Sequence, residues 1–248
     1  AHKRYHKKEI GVFKVTCTTI GIIGLGYVGS AVKQLEEVYS VEVYDPYIQE
    51  HKFNLGAFGQ DFVIVCVPTP IGKDGYDMSA VDETVVKWET MKKPNSILII
   101  KSTIPAGTVD EYRSKHGNNI VHNPEFLSQK TAKEDFRKPV EVIVGGDPEC
   151  CLRVVNMYKG FYTFGDPDDS KYFIVKSRVA EMVKTVRNSY YATKVSFFNE
   201  IYELCESQNI DYNNFRKVLT SEGEHPWLAK KHTQVPGPDG MFGFGGAC

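Results

Sequence analysis

The sequence predicts an α/β fold: a doubly wound parallel sheet followed by a mostly helical region with one long helix. Three observations carry this. Short β-branched apolar runs alternate with segments of helical spacing over the first two-thirds of the chain, as buried parallel strands and their crossover helices do. After "KYFIVKS" the alternation stops, and the stretch from about Arg178 to about Gln208 holds neither proline nor glycine. At 1.5 Å per residue that is about 45 Å of helix, well beyond the ordinary globular length. The 248 residues are 42% hydrophobic, so a packed core needs no staples.

The elements follow in order. "TTIGIIG" (Thr18–Gly24) reads as a strand buried on both faces, and "YVGSAVKQLEEVY" after it has helical spacing. "VEVYD" (Val41–Asp45), "DFVIVCV" (Asp61–Val67), "SILIIKS" (Ser96–Ser102), "NIVHN" (Asn119–Asn123) and "VEVIVGG" (Val140–Gly146) are the further strands. "SAVDETVVKWETM", "GTVDEYRSKHG" and "DPECCLRVVNMYKGF" are helices between them. The apolar positions of the long helix (Val179, Met182, Val183, Val186, Tyr190, Val195, Phe197, Phe198, Ile201, Leu204) cover more than one face, so several partners should bury it. A helix of this length bridges domains or forms a subunit interface. "DYNNFRKVLT" is a shorter helix, and "PGPDGMFGFGGAC" is a loop rich in breakers. The expected division is a basic tail over 1–14, a sheet domain over 15–176 and a helical region over 177–248.

Composition excludes several classes. Thirty lysines and arginines balance thirty-one acids, for a net charge of -1, which leaves no nucleic-acid footprint. "HKRYHKK" near the start is a local basic run with no apolar segment behind it, so it does not read as a signal peptide. "FVIVCV" is far too short to cross a bilayer. The six cysteines (17, 66, 150, 151, 205, 248) lack C-x-x-C spacing, so no metal site is expected. Scattered thiols point to the reducing cytoplasm, and Cys66, inside its apolar run, should be buried.

The glycine pattern is the first chemical signal. Gly24-x-Gly26-x-x-Gly29 follows a strand and opens a helix, the context of a dinucleotide fingerprint. Gly24 allows the tight turn, Gly26 lets the backbone approach a pyrophosphate, and Gly29 lets the helix pack closely on the strand. Amides at the helix start face the phosphates. Asp45 ends the next strand about 20 residues on, where a carboxylate accepts ribose hydroxyls and repels a 2′-phosphate; this favours NAD over NADP. The sheet is therefore Rossmann-like.

Three polar loops end strands on the same side: "VPTP" (Val67–Pro70), "KSTIPAGT" (Lys101–Thr108) and "HNPEFL" (His122–Leu127). Ligands of open α/β sheets bind beyond the carboxyl ends of the strands. Glu125 suits a general base or water-orienting group, or equally a helix-start acid satisfying the dipole. Lys184 and Asn188 are one turn apart on the long helix, as a cation and an amide donor holding a developing oxyanion would be. On spacing alone, Lys184 reads instead as a surface lysine paired with Glu181.

"GLGYVG", "VPTP", "STIPAGT", "NPEFL", "AEMVKTVRN" and "GFGGAC" occur in that order from about Thr18 to Cys248. Together they resemble the UDP-glucose/GDP-mannose dehydrogenase family. The resemblance implies NAD-dependent oxidation of a sugar-nucleotide primary alcohol to a carboxylate, with UDP-glucose to UDP-glucuronate the first choice and GDP-mannose the alternative. It implies Cys248 as the nucleophile forming a thiohemiacetal and then a thioester, Lys184 and Asn188 as the oxygen-charge pair, and Glu125 as the residue assisting thioester hydrolysis. Thr103 matches a residue placing water and cofactor. Thr69 matches a cofactor contact, beside Tyr27 and Val28 of the glycine turn. Phe126, Leu127 and Gly245 match the sugar-nucleotide site. The family pattern has a second glutamate where this sequence has Gln129, which cannot take a proton. It also continues past the cysteine with a "PKD"-like segment and a nucleotide-binding domain, so the 248 residues alone are expected to be inactive, an NAD-binding and dimerisation fragment. The resemblance implies a homodimer through the long helix. A hydroxyacid-type dehydrogenase using Lys184 and Asn188 without the thiol is the remaining alternative.

Overall fold

The computed structural model describes residues 18–73, 75–162, 171–220 and 232–244. The expected basic tail, Cys17, Gly245 and Cys248 lie outside the described residues. The chain forms two compact units, one up to Lys184 and one from Thr185.

In the first unit the chain runs through β1 (Thr19–Ile23), α1 (Tyr27–Val32), β2 (Ser40–Tyr44), β3 (Phe62–Val65), β4 (Ile71–Gly72), β5 (Gly75–Tyr76), α2 (Ser79–Met91), β6 (Ile97–Ile100) and α3 (Thr108–His116). β7 (Ile120–His122), α4 (Ala132–Arg137), β8 (Val142–Gly145), α5 (Pro148–Tyr162), β9 (Tyr172–Val175) and the start of α6 (Ser177–Ser207) follow. The main sheet has the order β2-β1-β3-β6-β7-β8-β9, and β4 and β5 form a small separate hairpin. β2 and β3 both pair with β1, in parallel and on opposite sides. The strand order therefore reverses at β1, and the crevice beyond the carboxyl ends of β1 and β3 is the topological switch point.

Strand alternation sends the two sets of side chains into two cores. Ile20, Ile22, Phe62, Ile64, Ile97 and Ile99 pack with α1, α4 and α5. Ile23, Val63, Val65, Leu98 and Ile100 pack with α2, α3 and Phe58 of a 3-10 turn at Leu55–Gly59. The doubly wound fold expected from the sequence is the one found. Trp88 of α2 is wholly buried, and its indole donates to Ser96 Oγ at 3.1 Å. Gly21 has no room for a side chain, since a Cβ there would lie 1.8 Å from the Ala57 carbonyl oxygen.

Three local features differ from the expectation. β8 runs antiparallel to β7, meeting it at His122 and Gly145. An antiparallel neighbour starts at the end where β7 finishes, so the "NPEFL" segment and α4 need no crossover to the far edge. The helix expected over Tyr27–Tyr39 tightens to 3-10 winding at Lys33–Glu37. Residues three apart eclipse in that winding, so Val32, Leu35 and Val38 line one ridge against the core. Cys66, just past the end of β3, is half-buried as a residue, although its thiol is desolvated. Cys150, Cys151 and Cys205 are buried.

The long helix expected at about 178–208 is α6. Of its predicted apolar positions only Phe198 is buried; Val179, Met182, Val186, Tyr190, Phe197 and Leu204 are exposed. These six recur at helical spacing, so they form one stripe that stays exposed among the described residues. In the second unit Phe198 and Cys205 pack with Tyr212 of α7 (Tyr212–Leu219) and with Val235. Asp211 caps α7 by accepting from the Asn213 amide, and Tyr212 donates to the Thr233 carbonyl at 2.5 Å.

Gly21→Ala should cost about 3 kcal/mol through overpacking against backbone, read as a lower urea midpoint. Gly26→Ala, with nothing within 4 Å of its added carbon, should leave that midpoint within about 0.5 kcal/mol of the parent.

Candidate active site

The glycine turn joins β1 to α1 at the switch point. Gly24 has φ +90°, and a Cβ on it would lie 2.9 Å from the Cys66 carbonyl oxygen. A Cβ on Gly29 would lie 1.9 Å from the Gly24 carbonyl oxygen, which brings α1 against the turn. Gly26 is exposed and faces open space. Asp45 follows β2 directly: Oδ2 accepts from the Leu25 amide at 2.7 Å and Oδ1 from the Tyr47 amide at 2.9 Å. Each carboxylate oxygen keeps a second lone pair, so Asp45 can brace the turn and still accept ribose hydroxyls. A constrained turn, an open Gly26 and a carboxylate at the end of the next strand together fit a dinucleotide.

The two loops beyond β3 and β6 are stitched together. Thr69 Oγ1 donates to the Thr103 carbonyl at 2.7 Å, and Ser102 Oγ to the Val67 carbonyl at 2.6 Å. Thr69 and Thr103 thus stand side by side at the carboxyl edge, both half-buried.

Glu125 and Lys184 meet across 59 residues. Lys184 Nζ donates to Glu125 Oε1 at 2.9 Å and to its backbone carbonyl at 2.8 Å, and both side chains are almost fully buried. The ammonium also stands 5.6 Å from the centre of the Phe126 ring. Glu125 Oε2 accepts from the Leu127 amide at 2.7 Å. Glu125 is therefore not a helix-start acid: it sits in an irregular stretch, and the next helix, α4, begins seven residues later. Nor does Lys184 pair with Glu181. Glu181 is wholly buried and accepts from the Gly107 amide at 2.6 Å and the Val109 amide at 2.8 Å. It caps the start of α3, and burial raises its carboxyl above the ordinary range. Two successive turns of α6 thus grip the two motif loops, Glu181 holding "STIPAGT" and Lys184 holding "NPEFL".

Asn188 is four residues beyond Lys184 in α6 and half-buried. It belongs to the second unit, where the loop before Cys248 is fastened by the Gly243 amide donating to Asn199 Oδ1 at 2.9 Å and by Tyr202 against Phe242. Gln129 is exposed.

Residues that motif reading passed over lie beneath the Glu125 segment. Lys101, at the end of β6, is buried and donates to Asn123 Oδ1 at 2.7 Å. Tyr158 of α5 donates to the same oxygen at 2.8 Å, and Asn123 Nδ2 donates to the Ile143 carbonyl at 2.7 Å. Burial lowers Lys101 to about 8; Cys66 and Glu125 oppose that shift and Lys184 adds to it. Burial pushes the Cys66 thiol up to about 12 and His122 down to about 3. His122 Nε2 lies 3.3 Å from the Ser102 carbonyl, while Nδ1 has no partner among the described residues. The one sequence signal for this layer was a lysine closing an otherwise apolar strand, "SILIIKS".

Among the described residues no cluster of metal-ligating side chains occurs and no helix is long and apolar enough to cross a membrane. The sequence model of the UDP-glucose/GDP-mannose dehydrogenase family, NAD binding domain, matches residues 32–162, and that of the family's central domain matches residues 178–248. The chain is 28% identical over 209 residues to UDP-glucose 6-dehydrogenase of Pseudomonas aeruginosa, covering 78% of this chain and 43% of that protein. It is 31% identical over 196 residues to the enzyme of the same name from Rickettsia bellii, covering 75% and 42%. The structure of a UDP-glucose dehydrogenase from Pyrobaculum islandicum superposes with a TM-score of 0.76 at 23% identity, over 98% of this chain and 63% of that one. The chain spans less than half the length of these curated relatives.

Lys184→Met would leave the Glu125 carboxylate buried without its cation. The expected loss is about 3–5 kcal/mol, read by thermal or urea unfolding, with most of it recovered in the double variant Lys184→Met/Glu125→Leu. Equal stability of Lys184→Met and the parent would mean that the pair is not maintained in solution.

Proposed function

The chain belongs to the UDP-glucose/GDP-mannose dehydrogenase family, with NAD as cofactor, and from that premise we propose that it carries the cofactor and catalytic halves of a sugar-nucleotide 6-dehydrogenase. UDP-glucose, oxidised to UDP-glucuronate, is the proposed substrate. The observation that carries this reading is the buried Lys184–Glu125 pair. It joins two separate motif residues at the carboxyl edge of the sheet, on the side of the glycine turn.

NAD, when bound, supplies the hydride acceptor. Gly24, Gly26 and Gly29 with Tyr27, Val28, Asp45 and Thr69 hold the dinucleotide. Lys184 and Asn188 stabilise negative charge on the reacting oxygen. The Cys248 thiol adds to the aldehyde left by the first two-electron oxidation, giving a thiohemiacetal. The second two-electron oxidation turns that adduct into a thioester. Glu125, with Thr103, orients the water that hydrolyses the thioester and frees the thiol. Phe126, Leu127 and Gly245 line the sugar-nucleotide side. Lys184 already holds Glu125 as an ion pair, so the carboxylate is placed before substrate arrives. The free thiols Cys66, Cys150, Cys151 and Cys205 favour the cytoplasm as the compartment. The exposed apolar stripe of α6 favours a homodimer.

Supplied with UDP-glucose and NAD, the complete protein should release two NADH per sugar consumed. One NADH per sugar sinks the four-electron scheme, and equal turnover of GDP-mannose reassigns the substrate. Cys248→Ser should abolish turnover; undiminished activity would favour the hydroxyacid-type alternative. The 248-residue chain should bind NAD without turning over the sugar nucleotide, and Gly26→Val should weaken that binding at least about tenfold by filling the space open to the pyrophosphate.

Sedimentation at micromolar concentration should give a dimer that Met182→Asp/Val186→Asp converts to monomer. A monomeric parent chain would remove the interface assigned to α6.

A further inference from the structure

Lys101 is a buried cation with an unusual set of partners. Its three acceptors are all neutral: Asn123 Oδ1 at 2.7 Å, the Asn123 carbonyl at 3.4 Å and Tyr158 Oη at 3.4 Å. Among the described residues no carboxylate forms a salt bridge with it. A charge buried without a counter-ion costs stability, and proteins keep such groups chiefly where they serve a site. Asn123 is the hub of this layer. Its side-chain oxygen takes Lys101 from β6 and Tyr158 from α5, its side-chain nitrogen reaches the Ile143 carbonyl on β8, and its own amide donates to the Ile100 carbonyl at 2.9 Å. Two residues later in the same segment comes Glu125, which Lys184 holds by both its carboxylate and its carbonyl.

We propose that Lys101 is a positioning residue of the site: through Asn123 its buried ammonium fixes the segment carrying Glu125, and it sets a second cation beneath the Glu125–Lys184 pair. The catalytic consequence rests on the function proposed above; the positioning itself does not. A lysine at this point stiffens the chain through two hydrogen bonds to one residue and adds positive field where oxygen charge would develop.

The groups facing Lys101 leave it alone to titrate near neutrality. Cys66, beyond β3, stays a thiol because burial pushes it up to about 12. His122 on β7 stays neutral because burial pulls it down to about 3. Burial holds Tyr158 on α5 well above the ordinary tyrosine value. Glu125 and Lys184 are ion-paired with each other. Burial brings Lys101 itself from 10.5 to about 8. Its folded value is depressed, so the cost of its charge is full below pH 8 and is relieved as pH rises from 8 toward 10.5. At neutral pH Lys101→Met should therefore fold at least as stably as the parent, and Asn123 Oδ1 keeps the Tyr158 hydroxyl.

The test reads the backbone amides of Asn123, Glu125 and Leu127 by NMR between pH 7 and 9.5 in the 248-residue chain. The parent should show one common titration with a midpoint near 8, and Lys101→Met should abolish it. Tyr158→Phe, which removes an acceptor of the ammonium but leaves the lysine, should move the midpoint down; it serves also if the methionine variant does not fold. No titration in the parent, persistence in Lys101→Met, or an unmoved midpoint in Tyr158→Phe would each overturn the assignment. In the complete enzyme Lys101→Met should lower kcat about tenfold with KM for NAD unchanged, and an unchanged kcat removes the catalytic consequence. Failure of all sugar-nucleotide turnover would overturn the proposed function while leaving the amide titration to decide the role of Lys101.

Discussion

The site depends on one buried ion pair. Lys184 and Glu125 are drawn out of water together, and neither charge is tolerable there without the other. That mutual requirement fastens the start of α6 to the segment after β7. Three residues earlier on α6, Glu181 performs the matching task for the loop after β6, replacing the water that the Gly107 and Val109 amides would otherwise need. The long helix is thus the part that brings two separate strand-end loops into a common frame, as well as the carrier of Lys184.

The sheet makes this economical. Reversal of strand order at β1 opens the carboxyl edge, and the antiparallel turn-back of β8 lets the 123–141 connection rejoin the sheet without a crossover. The cofactor turn is constrained by contacts that admit only glycine at 24 and 29, while Gly26 faces space. Crowded positions and an open one within six residues are what a backbone surface for a pyrophosphate requires. Beneath lies a polar layer of Lys101, Asn123, Tyr158 and His122, in which all but one partner atom is satisfied. Such layers hold geometry more tightly than apolar packing, because their hydrogen bonds are directional.

Much of this was legible from the residues. Near-continuous apolar runs identified six of the seven strands of the main sheet, because strands buried on both faces carry no alternation to confuse them; the edge strand β9, largely exposed, was not among them. The glycine spacing with Asp45 located the cofactor end, since it encodes backbone requirements that a few residues state locally. Short elements were not legible: the β4–β5 hairpin and α4 span two to six residues each, too few to show a period. The direction of β8 escaped for a related reason, since an apolar run says that a strand is buried and not which way it runs.

The sequence by itself determined the doubly wound sheet, the glycine turn and the long helix, because each is specified by neighbours in the chain or by a repeated period. Only tertiary structure decided the pairing of charges. Helical spacing offered Lys184 its neighbour Glu181, three residues away; the fold gave it Glu125, 59 residues away, and turned Glu181 to the α3 amides instead. A local pair at the surface gains little from its Coulomb energy. Burial alters that balance, because a desolvated ammonium and desolvated amides must find full partners wherever the fold supplies them. The same desolvation set the state of Lys101, which its strand marks only as an odd ending.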